Sequence, residues 1–179
     1  MVCDDIFVTS SGEMKLQKPV RTIRKSGRRD FLILYVCEGT CVLSSDGGSL
    51  TAEKGSVVFY RPSEPQDYYF PAEPVNHNIW VHFSGDKCDE LLAALNIGNE
   101  RILKPSHTAR IEHIFSAICD SFLNKNTESS VICTGLLTAL LGMLAEYTKE
   151  ESSHAFGEYR RIIGDEIMRF KTTPYQKMT

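Results

Sequence analysis

The feature that most constrains the fold is a series of short apolar segments between residues 31 and 85. Segments rich in Val, Ile, Phe and Tyr alternate with Gly, Pro, Asp and Ser clusters, which is typical of consecutive antiparallel strands joined by tight turns. Three turn signals contain glycine: Glu38-Gly39, Ser45-Asp46-Gly47-Gly48 and Glu53-Lys54-Gly55. We place strands near 31–37, 40–45, 49–52, 56–61, 66–70 and 76–83, which predicts a small barrel or sandwich. A small β-barrel can hold one small ligand.

Two shorter segments before residue 31 are also extended in character. The first covers residues 6–9 and is expected to end at the polar sequence Ser10-Ser11-Gly12. The second covers residues 19–24, where β-branched and polar residues alternate. We interpret both as strands or strand-like arms that lead into the barrel.

After Gly85 the apolar period changes from two residues to about 3.6, which indicates helices. The spacing predicts a short helix over 87–95, a helix from 105 to about 123, a helix over 128–148 and a last helix over about 156–171. The predicted fold class is therefore α+β, with strands first and three to four helices after them. The helix over 128–148 is apolar around most of its circumference, which favours burial on two sides. The second side could face another subunit or a helix of the same chain.

The charge balance excludes a strongly basic nucleic-acid surface. The chain carries 20 basic and 23 acidic residues, for a net charge of −3, so this chain alone is a poor candidate for direct DNA binding. We find no signal peptide and no uninterrupted membrane-length apolar run, and we expect a cytoplasmic protein with no membrane partner. The six scattered cysteines predict reduced thiols, although Cys37 and Cys41 could approach each other across a hairpin.

No catalytic or metal-binding motif is present in the sequence. There is no phosphate-binding glycine loop and no GxSxG, HxH or HExxH motif. His77 and His82 are separated by an odd number of residues on one predicted strand, so they point to opposite faces and cannot bind one ion together. We therefore predict no catalytic residues, no metal site and no cofactor.

The predicted strand 76–83 has two different faces. One face carries His77, Ile79, Val81 and Phe83, and the other carries Asn78, Trp80 and His82. An aromatic ring with hydrogen-bonding neighbours is what a cavity for a small polar ligand requires. The alternative is that Trp80 is a core residue with incidental polar neighbours.

The region from Gly39 to Gly85 resembles the sensing domain of AraC-type transcriptional regulators. The resemblance rests on Glu38-Gly39 after an apolar strand, Lys54-Gly55-Ser56-Val57-Val58-Phe59-Tyr60-Arg61-Pro62, Tyr68, and Trp80-Val81-His82-Phe83-Ser84-Gly85, in this order and spacing. It implies a cupin-like antiparallel β-barrel of the jelly-roll type, followed by three to four helices.

The resemblance also implies a domain plan. Residues 1–85 would form the sensing barrel with its N-terminal arm, 86–171 a helical packing and dimerisation region, and 172–179 a tail or the start of a linker. The family's two helix-turn-helix units would follow, and too few residues remain here for one. We therefore expect this chain to be part of a longer regulator that contacts DNA only through that missing part. A stand-alone sensor is the alternative.

Sugar-sensing members of the family suggest positions for a binding pocket. Matched by spacing, Arg24 falls where such a member uses an Arg on sugar hydroxyls, and Tyr68 and Trp80 fall on the pocket aromatics. Asn78 stands where that member has a His, and Ser10 stands where it has a Thr. Together with His82, which shares a face with Trp80, these residues are the predicted ligand-binding set.

The expected function is therefore non-enzymatic sensing of a small polar effector, a carbohydrate, in a domain that forms a homodimer through the helices after residue 105. Gln66 replaces the His that is common in the family's PxxxPH segment, and the metal-binding HxH of enzymatic cupins is missing, which both count against a metal. Two alternatives remain. One is a metal-dependent cupin enzyme acting on a small sugar-like substrate. The other is a dimerisation module whose barrel is filled by its own side chains.

Overall fold

The computed structural model of the chain describes residues 5–45, 47–71, 75–124 and 128–146. Three helices follow eight of the strands within these residues: α1 (Cys88–Ala94), α2 (Thr108–Asn124) and α3 (Glu128–Glu146). The strands are β1 (Phe7–Leu16), β2 (Val20–Arg24), β3 (Phe31–Glu38), β4 (Thr40–Ser45), β5 (Gly48–Glu53), β6 (Val57–Tyr60), β7 (Gln66–Phe70), β8 (Asn76–Ser84) and, between α1 and α2, β9 (Ile102–Leu103).

The six strands predicted after residue 31 are confirmed to within one residue at each end. The prediction that the first extended run ends at Ser10-Ser11-Gly12 was wrong, because β1 continues through Gly12 to Leu16 and pairs with β8 along most of its length. A glycine can end a strand, but Gly12 continues β1 and leaves space for the side chain of Trp80 on the neighbouring strand.

The strands form two antiparallel sheets. The larger sheet has the order β1-β8-β3-β6-β9, and the smaller sheet has the order β2-β7-β4-β5. One apolar cluster contains side chains from both sheets, among them Leu34 and Tyr60 from the larger sheet and Leu43 and Phe70 from the smaller one. The two sheets therefore pack face to face, and the predicted α+β class is confirmed.

The larger sheet is the middle layer of the molecule. On β3, Ile33 and Tyr35 belong to the cluster that includes the helices, whereas Leu32 and Leu34 belong to the cluster between the sheets. Seven consecutive residues of β3 are buried for this reason, which explains its continuous apolar sequence. The smaller sheet covers one face of the larger sheet, and the helices cover the other.

Helices α2 and α3 bury one face each against this middle layer. Ile111, Phe115 and Ile118 of α2 are fully buried, and α3 contributes a second set of buried residues to the same cluster: Cys133, Leu137, Leu140, Leu141, Leu144 and Ala145. By length and composition α3 is apolar enough to cross a membrane. However, the face of α3 that carries these buried residues packs inside the protein. The predicted helix over 156–171 and residues 147–148 lie outside the described part of the chain.

The cysteines of the described ranges are buried, unpaired thiols. Cys37 lies on the helix side of β3, whereas Cys41 lies in the cluster between the sheets. The idea that these two could approach each other across the hairpin is therefore wrong, since Gly39 and the change of sheet direct their side chains to opposite faces. Burial raises the pKa of both thiols to about 12, which makes them poor nucleophiles.

Candidate ligand-binding site

A cavity of about 200 Å³ lies between the two sheets. Strands β1, β3 and β8 of the larger sheet form one wall, and β2 and β7 of the smaller sheet form the other. The lining residues are Ser10, Met14, Val20, Thr22, Arg24, Arg28, Leu32, Leu34, Tyr68, Phe70, Asn78, Trp80 and His82. The volume is below the range of about 300 to 1,000 Å³ that is usual for pockets of drug-sized ligands, so the cavity suits a small molecule.

All six residues of the predicted ligand-binding set line this one cavity. The structure brings Ser10 of β1, Arg24 of β2, Tyr68 of β7 and the three β8 residues to the same space. The two predicted faces of β8 are separated as expected, since Ile79, Val81 and Phe83 lie in the helix-side cluster.

Trp80 reaches the cavity wall because its partner strand has no side chain at the matching position. Gly12 pairs with Trp80 in the ladder between β1 and β8. A Cβ atom on Gly12 would lie 2.4 Å from Cζ2 of the indole, closer than any real contact. Ser11 adds a hydrogen bond from its Oγ to the backbone carbonyl of Trp80, at 2.9 Å. The indole is therefore held in place from the β1 side.

Two polar side chains of β8 that line the cavity have atoms without a hydrogen-bond partner among the described residues. Asn78 is 1% exposed, and its Nδ2 has no hydrogen-bond partner among the described residues. His82 is also buried, and its Nδ1 lies 3.2 Å from Oδ1 of Asp30 without the alignment of a hydrogen bond. Buried polar atoms without partners are unusual in native proteins and require an explanation. For Nδ2 of Asn78, in the cavity wall, a bound ligand supplies one.

A charged network supports the cavity from behind. Asp30 accepts two hydrogen bonds from Arg28, at 2.8 and 3.1 Å, and one from Oγ1 of Thr9, at 2.9 Å. Thr9 is the residue at which the ladder between β1 and β8 shifts register, so this bond anchors a bulge in the edge strand. The network therefore ties the edge strand β1 to the loop before β3.

The same network sets the charge states of its members. Burial by itself raises the pKa of Asp30, but the hydrogen bonds from Arg28 and Thr9 and the nearby His82 hold it below its usual value. Burial is the main cause that lowers the pKa of His82, and repulsion by Arg28 and Arg24 adds to it, while Asp30 opposes it. The favoured state at neutral pH is an ionised Asp30 beside a neutral imidazole.

Tyr68 forms the aromatic part of the opposite wall. Its ring contacts the rings of Tyr60 and Phe70, with centroids 5.8 and 6.0 Å away. Burial is the main cause that raises its pKa, so the phenol remains a neutral hydroxyl that can donate and accept a hydrogen bond. Tyr68 and Trp80 thus present ring surfaces from the two sheets.

Sequence reasoning did not assign several lining residues to the cavity. They are Met14, Val20, Thr22, Arg28, Leu32, Leu34 and Phe70. A strand's inner positions alternate, so Arg24 could have indicated Thr22 and Val20, and Tyr68 could have indicated Phe70. Arg28 follows no such rule, because it lies in the loop between β2 and β3 and its position depends on Asp30.

Two other polar residues lie outside the cavity lining. His77 contacts Glu13 through Nε2, at 2.7 Å, and points away from His82, as its position on the strand predicted. Gln66 is 1% exposed on the inner face of β7, and neither amide atom has a partner among the described residues. Across those residues no three His, Cys, Asp or Glu side chains converge as a metal site requires.

The family model described as "AraC-like ligand binding domain" matches residues 18–145, which is more than half of the chain. This chain belongs to the AraC-like ligand-binding domain family. The AraC-type resemblance predicted from the sequence is therefore confirmed. No curated protein matches the chain.

Solved structures of AraC-family regulators share this AraC-like fold. ToxT from Vibrio cholerae, bound to (E)-4-(8-methylnaphthalen-1-yl)but-3-enoic acid, is 14% identical with a TM-score of 0.51, over 82% of this chain and 57% of ToxT. ToxT with a bound unsaturated fatty acid is 13% identical with a TM-score of 0.50, over 80% of this chain and 55% of ToxT. The AraC-like transcriptional activator CuxR is 11% identical with a TM-score of 0.52, over 76% and 51%. This AraC-like chain therefore spans about half the length of these regulators.

Proposed function

We propose that this chain is the effector-sensing and dimerisation part of an AraC-type transcriptional regulator of the cytoplasm. It binds a small carbohydrate between its two sheets and acts on DNA through a domain outside this chain. Residues 1–85 sense the effector, residues 86–171 pack and dimerise, and the remainder begins the connection to that domain. The single observation that carries this proposal is the convergence of Ser10, Arg24, Tyr68, Asn78, Trp80 and His82 on one cavity.

The chemistry of the lining supports a carbohydrate. Sugar rings stack their C–H faces on aromatic side chains, and here Trp80 and Tyr68 offer ring surfaces from opposite walls. Hydroxyl groups of a sugar need both donors and acceptors, which Ser10, Thr22 and Asn78 provide. The cavity volume of about 200 Å³ is below the range of about 300 to 1,000 Å³ that is usual for drug-sized ligands, which favours a ligand of about one sugar ring.

Binding would be transmitted through differential affinity for two packing states of the regulator. The network of Thr9, Arg28, Asp30 and His82 supplies a route, because Arg28 and His82 line the cavity while Thr9 lies on the edge strand. Immediately before β1, the carbonyl of Ile6 accepts a hydrogen bond from Oγ1 of Thr134 in α3, at 3.4 Å. A ligand that changes the position of β1 would therefore also act on α3.

The alternative is a metal-dependent cupin enzyme acting on a small sugar-like substrate. Three converging ligands are the minimum for a catalytic metal, and His82 is the one imidazole among the lining residues. The proposal is accordingly a sensor and not an enzyme. A stoichiometric transition metal in the purified protein, measured by mass spectrometry, would favour the enzyme instead.

The direct test is binding to a panel of monosaccharides, measured by thermal shift and calorimetry. We expect saturable binding by at least one sugar to the wild type, and loss of binding in the double variant Trp80→Ala with Arg24→Ala. Binding that survives both substitutions would place the ligand elsewhere and refute the proposed pocket.

A further inference from the structure

We propose that the effector carries a carboxylate group, so that its class is an acidic sugar such as a hexuronate and not a neutral sugar. This inference rests on the proposed function, because it names the ligand class for the same cavity. It is carried by the distribution of charge and of hydrogen-bond donors around that cavity.

The cavity lining contains two guanidinium groups and no acidic side chain. Arg24 and Arg28 both line it, and none of the other lining residues is Asp or Glu. Arg28 is neutralised, since Asp30 receives both of its hydrogen bonds from behind the cavity. The backbone carbonyl of Arg24 accepts a hydrogen bond from Gly27, but its guanidinium group makes no ion pair or hydrogen bond with the residues that the structure describes. One positive charge at the cavity is therefore uncompensated.

One buried polar atom of the wall is a further donor without a partner. Nδ2 of Asn78 can only donate, and it is buried without a partner. A carboxylate accepts hydrogen bonds only, through two oxygens. Arginine's planar group binds such a pair of oxygens in a bidentate manner. A carboxylate thus supplies the pair of acceptors and the negative charge that Arg24 lacks, while another oxygen of the sugar accepts the bond from Asn78.

The positions of these groups also predict the orientation of the ligand. Arg24 is exposed, whereas Asn78 is buried. Arg24 therefore marks the rim of the cavity and Asn78 marks its interior. An acidic sugar would place its carboxylate at the rim and its ring against Trp80, with a ring oxygen or hydroxyl accepting the bond from Asn78. A neutral sugar would leave Arg24 without a counter-charge.

The test compares pairs of sugars that differ only at C6: galacturonate with galactose, and glucuronate with glucose. Trp80 is the single tryptophan of the chain and lines the cavity, so its fluorescence reports binding directly. We expect at least one uronate to bind tenfold or more tightly than its neutral partner, with an affinity that falls when 0.5 M NaCl is added. Hexanoate serves as a carboxylate without a sugar ring.

The matched variants are Arg24→Gln and Arg21→Gln. Both residues lie on β2, but Arg21 points to the outer face, where it pairs with Asp67 at 2.8 Å. Arg24→Gln should weaken uronate binding at least tenfold, and Arg21→Gln, which removes the same charge from the same strand, should leave it unchanged. An equal loss in both variants would show a general charge effect and overturn the assignment to Arg24.

The remaining outcomes separate this inference from the proposed function. Equal or tighter binding of the neutral sugars would overturn the carboxylate and leave the carbohydrate proposal intact. Binding of hexanoate that requires Arg24, with no binding of any sugar, would support the carboxylate and overturn the carbohydrate class. If no uronate and no hexanoate binds, the inference is wrong.

Discussion

Gly12 on β1 lies directly opposite Trp80 on β8, and the missing side chain of the glycine leaves the space that the indole occupies. The same strand carries Ser10, two residues earlier on the same face, to the cavity wall. The edge strand therefore positions the largest aromatic group of the site as well as closing the sheet.

Gly12→Ala should displace the indole of Trp80. The new Cβ would lie 2.4 Å from the ring, so the ring or the strand must move, at a loss of about 1–3 kcal/mol in the free energy of unfolding. Urea denaturation and the emission maximum of Trp80 measure the two effects. Gly135→Ala on α3 is the control, because an added Cβ there meets nothing within 4 Å, and a helical alanine should stabilise by up to about 1 kcal/mol. Unchanged stability and emission in Gly12→Ala would contradict this packing.

Asp30→Asn should destabilise the chain far more than Asp67→Asn does. Asp30 is buried and accepts bonds from Arg28 and Thr9, so its neutralisation weakens charge-assisted hydrogen bonds and leaves Arg28 unpaired, at about 1–3 kcal/mol. Asp67 pairs with an exposed arginine, and solvent screens such surface pairs, so the loss of this pair should change stability little. Equal losses in chemical denaturation would show that the Asp30 network has no structural role.

Acidification should destabilise the chain through His82. Its pKa is lowered in the folded state, mainly by burial, and it faces Asp30, Arg28 and Arg24. A lowered pKa means that the unfolded chain binds the proton more readily, so the contribution of His82 is complete above about pH 6.5 and is lost as the pH falls below that value.

The measurement is the free energy of unfolding at pH 7.5 and 5.5, a window above the range in which Asp30 titrates. The wild type should lose stability between the two pH values, and His82→Gln should lose less. His113→Gln, which changes an exposed histidine of α2, should behave as the wild type does. A His82→Gln variant with the full pH dependence would exclude His82 as its source.

The proposed dimer should depend on the exposed apolar residues of the helices. Val131 and Ile132 near the start of α3 are 75% and 48% exposed. They lie on the side of this apolar helix that its sequence predicts to be covered by another subunit or helix. Val131→Asp with Ile132→Asp should shift the chain from dimer to monomer in analytical ultracentrifugation. Leu50→Asp, at an exposed apolar position of β5 on the smaller sheet, should leave the dimer intact. A wild type that is monomeric at high concentration would refute this part of the proposal.

The strand pattern could be predicted from the sequence because turn glycines and alternating burial are local signals. The two faces of β8 followed from residue parity alone, and the position of Arg24 followed from the family resemblance. The role of Gly12 could not be predicted, because a glycine inside a strand is locally the same as a glycine that ends one. Only the register between β1 and β8 shows that Trp80 needs the space.

The net charge of the cavity lining could not be predicted from the sequence either. Arg24 and Arg28 look alike in the basic segment 21–29, but the fold neutralises only Arg28, through Asp30. The separation of Cys37 from Cys41 has a similar origin, because the chain changes sheets between them and proximity in sequence does not become contact. These features depend on tertiary pairing, which no local pattern encodes.

The most direct test of the central claim, that a small effector binds between the two sheets against Trp80, is an NMR titration of the ¹⁵N-labelled protein. The single tryptophan gives one indole N–H resonance, and the Asn78 side-chain amide gives a second marker inside the cavity. We expect both to shift saturably with a sugar ligand, at the same dissociation constant that calorimetry gives. Saturable binding in calorimetry that leaves both resonances in place would contradict the account.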